Sequence, residues 1–156
     1  QAFVAATGQR SVVLTGRKSV TAREGDSRLT LLPRIEPGEV QHLLAEALLV
    51  VSNGGTTLIH SLAHGRPIIS IPLAGDQDRR IRRAVRLQIA ATADRTPEAI
   101  AAAAAGLLAD SARREAMVQN IMAMGIANGV GAAVAALQAL ARRSQAVPAA
   151  RSTVVE

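Results

Sequence analysis

The residues best placed to do chemistry lie between positions 48 and 77, where Asn53-Gly54-Gly55-Thr56-Thr57 is followed by Asp76-Gln77. A glycine pair between a strand end and a helix start lets backbone approach a ligand closely. The unpaired amides and positive end of that helix then attract an anion. This makes a phosphate seat. A carboxylate and a carboxamide beside it supply the acceptors and donors that sugar hydroxyls need. Taken alone, Gly54 and Gly55 make no more than a tight turn; the ordered combination is what points to a phosphorylated sugar. His60 and His64, four apart, have the helical spacing of a metal-binding pair. Asp76 is the sole nearby acid to add to them, so no metal is expected, and His60 is expected to face the ligand cleft or solvent.

These residues need a scaffold, and the rest of the chain supplies one. Apolar runs of strand length alternate with helical patterns, which predicts an α/β fold: an open, parallel, Rossmann-like sheet with helices on both faces. Strands are expected over 11–15, 28–35, 48–52, 67–73 and 89–93. Helices are expected over 39–46, 56–64, 78–88, 96–108, 111–124 and 130–143. The strand at 67–73 is rich in isoleucine and reads as buried on both faces. Thr96-Pro97-Glu98 opens its helix with a cap, a proline and an acid in the usual order. Val130, Val134, Leu137 and Leu140 form a stripe on the last helix. Gly8 closes what looks like the end of a helix over 2–7, so the chain is expected to begin inside a domain and to lack its first strand. One domain over 1–143 and a flexible tail over 144–156 complete the expected organisation. In open parallel sheets ligands sit beyond the carboxyl ends of the strands, where both the Gly-Gly turn and the Asp-Gln pair fall.

Composition narrows the function. The 156 residues suit one domain, and Leu, Ile, Val and Phe together number 41, enough for a packed core. The absence of cysteine excludes disulfides and Cys-based zinc sites and gives no sign of an oxidising compartment. No apolar run approaches the roughly 18 residues of a membrane span. No signal peptide is evident, so a cytoplasmic location is expected. A net charge of +6 raises the question of nucleic acid. One Phe with no Tyr or Trp cannot build the stacking platforms of single-strand readers, and no helix-turn-helix, zinc-finger or RNA-recognition signature is present. Arg79, Arg82, Arg83 and Arg86 share a helical face opposite Ile81, Val85 and Ile89, which reads as a solvated surface. Attraction to an anionic membrane is the alternative, but it lacks the aromatic anchors of an interfacial helix.

The ordered set Asn53-Gly54-Gly55-Thr56-Thr57, Ser61-Leu62-Ala63-His64-Gly65-Arg66-Pro67, Ile71-Pro72 and Asp76-Gln77 resembles the C-terminal, nucleotide-sugar-binding domain of GT-B fold glycosyltransferases. The resemblance spans residues 12–140. It implies that Asn53, Gly54, Gly55, Thr56 and Thr57 hold the donor diphosphate, that Asp76 and Gln77 bind the donor sugar, and that Arg34, Ile35 and His60 border the nucleoside. It further implies a UDP-linked sugar as donor, no cofactor, no catalytic residue within this chain, and a missing N-terminal domain that holds the acceptor and the base. The chain departs from the pattern at four places. Asn53 replaces the commoner His, and the turn after Gly55 is one residue short. His60 stands where Glu or Gln is usual, and Gln88-Ile89-Ala90 stands where Gly-Ala-Gly often occurs. A nucleotide-sugar epimerase of the same fold and a noncatalytic binding domain with a decayed site are the rival readings.

Overall fold

Short runs of Val, Leu and Ile form the strands, and a proline or glycine lies within two residues of each strand's end. The structure is a computed structural model that describes residues 4, 7–16, 27–127 and 129–145. In order the elements are β1 (Ser11–Leu14), β2 (Leu29–Leu32), α1 (Pro37–Glu46), β3 (Val50–Asn53), α2 (Thr56–Ala63), β4 (Ile68–Ile71), α3 (Gly75–Arg86), α4 (Pro97–Ala109), α5 (Ser111–Ala123) and α6 (Val130–Gln145). This is the expected α/β alternation with parallel strands. β1 pairs with β2 from Ser11 opposite Leu29 to Leu14 opposite Leu32, and β3 pairs with β4 from Val50 opposite Ile68 to Asn53 opposite Ile71.

Two expectations need correction. The single open sheet is instead two separate parallel pairs among the described residues. The strand expected over 89–93 shrinks to one bridge, Ala91 beside Ile69, because Gln88 turns the chain at φ 55 and Ile89 N–H is drawn back to Ala84 O at 3.0 Å. Ala91 extends the β3–β4 pair through two bonds, its N–H donating to Ile68 O at 2.8 Å and its carbonyl accepting from Ser70 N–H at 2.9 Å. β2 stops one residue before Pro33, which has no N–H to give.

Two helices begin earlier than their patterns predict. Pro37 and Gly38 are the first residues of α1 rather than a turn before it, because Glu36 and Glu39 close a reciprocal capping box around the helix start. α3 begins at Gly75, so Asp76 and Gln77 lie in its first turn instead of ahead of it. α4 starts as expected, with the Thr96 hydroxyl accepting from Ala99 N–H at 3.2 Å. Residues 17–26, between the first two strands, lie outside the described residues, as does the tail from residue 146.

All four residues of β4 are buried, and Ile68 and Ile69 are completely so. Leu58 and Leu62 of α2, Ile81 and Ala84 of α3, Leu107 of α4 and Met117 and Ile121 of α5 are also buried. The chain divides into two compact units, residues 1–126 and residues 127–156. The second carries α6, whose Val130, Val134, Leu137 and Leu140 are exposed and whose last turns continue to Gln145. No described helix is long and apolar enough to cross a membrane.

Candidate functional site

The turn after β3 is built by close contact rather than by open glycine flexibility. A Cβ on Gly54 would lie 2.8 Å from Ile81 Cδ1 and 2.9 Å from Gln77 Cβ, so only glycine lets the turn press against α3. At Gly55 a Cβ would meet Asn53 Oδ1 at 2.9 Å, and that same oxygen accepts from Gly55 N–H at 3.0 Å. Asn53 therefore braces the turn, leaving its Nδ2 for other partners. Gly55 is the N-cap of α2, and no side chain caps the amides that follow. Thr56 is exposed and Thr57 half-buried there, and Thr57 O is taken internally by the Ser61 hydroxyl at 2.8 Å. The first turn of α2 thus carries neither an acidic residue nor a side-chain cap.

α3 begins beside it. Leu73 N–H donates to Gln77 Oε1 at 3.0 Å and Gln77 N–H to Ala74 O at 3.0 Å, which fixes the entry to the helix and leaves Gln77 Nε2 without a partner among the described residues. Asp76 is exposed. The residue that sequence reasoning missed is Arg80. Its Nη1 donates to the Gly54 carbonyl, and its Nη2 lies 3.7 Å from Asp76 Oδ2. One guanidinium therefore touches both candidate motifs, and the starts of α2 and α3 share one place. The i,i+4 spacing of Asp76 and Arg80 was the available signal.

The nucleoside candidates are less closely joined. Arg34 is exposed and Ile35 half-buried between β2 and α1, and neither hydrogen-bonds to the described residues of α2 or α3. His60 and His64 both turn onto one amide of α1: Gln41 Nε2 lies 3.0 Å from His60 Nδ1 and Gln41 Oε1 lies 2.7 Å from His64 Nε2. No group of three metal-ligating side chains occurs among the described residues. A cavity of about 380 Å³ lies elsewhere, between the end of α3, residues 90–92 and α5, and shares no lining residue with the α2–α3 site.

No protein-family model matches the chain, and no curated protein matches it. Among solved structures it is similar to the crystal structure of the glycotransferase of kitacinnamycin, with 26% identity and a TM-score of 0.63. The match covers 80% of this chain and 34% of that one, so the chain spans about a third of the length of its neighbour. The fold is thereby glycosyltransferase-like.

Proposed function

We propose that this chain is the donor-binding part of a glycosyltransferase that moves a hexosyl group from a UDP-linked sugar to an acceptor hydroxyl. The observation that carries the reading is Arg80, which joins the Gly54 carbonyl to the Asp76 carboxylate and so unites the two motifs. The diphosphate accepts from the uncapped amides and the hydroxyls of Thr56 and Thr57, with Arg80 adding positive charge at the rim. Asp76 accepts from sugar hydroxyls and Gln77 Nε2 donates to them. In the reaction the bond from the anomeric carbon to the diphosphate oxygen breaks and a bond to the acceptor oxygen forms. Negative charge grows on the departing diphosphate, where the positive end of α2 stabilises it. The acceptor's proton passes to a base outside this chain.

Calorimetric titration with UDP and with UDP-hexoses tests the reading. Both ligands are expected to bind, with Asp76→Asn weakening the sugar nucleotide more than UDP itself. Failure of both to bind at millimolar concentration overturns the proposal.

A further inference from the structure

The cavity of about 380 Å³ away from the α2–α3 site has the size of a small-molecule pocket, which usually starts at roughly 300 Å³. One wall is a single face of α5, where Arg113, Ala116, Met117 and Asn120 recur at i, i+3, i+4 and i+7. The room exists because the side chains along it are short. Ala116 gives the wall only a methyl, Ala90 and Ala91 give the same from the segment after α3, and buried Met117 adds an adaptable thioether.

The polar groups lie toward the two ends of that face. Arg113 and Asn120 stand seven residues apart on α5, about 10 Å along its axis. Asn120 Nδ2 donates to the Gln88 carbonyl at 3.4 Å, so both amide side chains belong to the end away from Arg113. Gln88 holds φ 55, a left-handed conformation that Gly or Asn adopts more easily. What a glutamine brings to this turn is an amide at the cavity. No acidic side chain lines the space. The Arg113 guanidinium has no partner among the described residues; only its backbone N–H is engaged, donating to Asp110 Oδ1 at 2.9 Å. The slot therefore carries an uncompensated cation at one end, methyl groups along its length and amides at the other end.

We infer that this cavity is a second binding site, separate from the donor site proposed above, for a small organic carboxylate with a short apolar body. The carboxylate pairs with the Arg113 guanidinium and the body lies along the alanine methyls and Met117, with its far end at Gln88 and Asn120. An inorganic anion gains nothing from the methyls, and a neutral sugar gains nothing from the unpaired cation, so the two features together select the class.

Amide NMR of the whole chain during titration with hexanoate tests this, with hexanamide and acetate as probes that lack the charge and the body respectively. Residues 85–92 and 113–120 should shift along one saturating curve while residues 54–57 and 76–80 stay still. Hexanamide should bind about 3- to 10-fold more weakly, the factor that one part-exposed charge-assisted pair represents, and acetate should not saturate. Arg113→Gln should abolish the preference for acid over amide. Ala116→Leu fills the slot and should abolish binding of both. Both positions are exposed, so both variants should fold, which circular dichroism checks. Hexanoate that leaves residues 85–92 and 113–120 unmoved, equal affinity for hexanamide, a preference retained in Arg113→Gln, or unchanged binding in Ala116→Leu each overturns the inference. UDP titration of the same two variants should match the wild type, so failure at this cavity and failure of the donor-site reading are told apart.

Discussion

β4 and β1 are both four-residue members of parallel pairs, with nearly equivalent apolar content, and they meet opposite fates. Ile68, Ile69, Ser70 and Ile71 are all buried, while Val12, Val13 and Leu14 are 46, 43 and 44% exposed. The difference lies in what covers them. β4 is flanked by β3 and by Ala91, and α2 and α4 pack on it; among the described residues β1 pairs with β2 alone. An apolar strand pattern says that a segment can be buried and leaves open what buries it. The candidate site stands on the covered pair: β3 and β4 lead into α2 and α3, and the solid base beneath them lets two helix starts be held against each other.

The largest contrast is in stability. Ile69→Ala should cost about 2–5 kcal/mol, because the void forms beneath two packed helices. Val13→Ala on β1 should cost about 1 kcal/mol or less, since much of that side chain already meets water. Urea unfolding followed by circular dichroism reads both, and equal losses would erase the distinction between the pairs. Next comes Gly54→Ala. The new methyl meets Ile81 and the Cβ of Gln77, an atom fixed to its own helix, so α3 must move; the cost should be about 1–3 kcal/mol, with UDP affinity falling as well. Gly38→Ala, with nothing within 4 Å of the added carbon, should instead stabilise α1 by up to about 1 kcal/mol. Thr96→Ala removes the cap of α4 far from the site, and should cost about 1 kcal/mol of thermal stability without changing ligand affinity. Arg80→Gln acts chiefly on binding: its ion pair is solvent-exposed and contributes little, so unfolding should shift by about 1 kcal/mol, mostly from the lost bond to the Gly54 carbonyl, while UDP binding measured by calorimetry should weaken about tenfold through the lost positive charge.

Much of this organisation was legible in the residues themselves. The alternation of apolar runs with helical periodicity gave parallel strands and crossover helices, and Thr96-Pro97-Glu98 marked the start of α4 to the residue. What failed was decided by backbone bonding at element ends. Asp76 and Gln77 read as lying ahead of a helix that starts at 78, because the Gly75-Asp76 pair has the composition of a turn, yet Leu73 and Ala74 bond to Gln77 and wind it into α3. The 89–93 run has the composition of a strand, but the left-handed turn at Gln88 allows it a single bridge. Within the site, the Gly-Gly and Asp-Gln motifs were visible by spacing, whereas Arg80 was one arginine among several on its helix. Gln41 was invisible, since its meeting with His60 joins residues 19 apart on different helices.

The account depends on the starts of α2 and α3 forming a single ligand site. Amide NMR during titration with a UDP-hexose measures this directly. Residues 54–57 and 76–80 should shift together along one binding curve, with β1 unchanged. Movement confined to one of those two segments, or to residues around the cavity between the end of α3, residues 90–92 and α5 while both stay still, would contradict it.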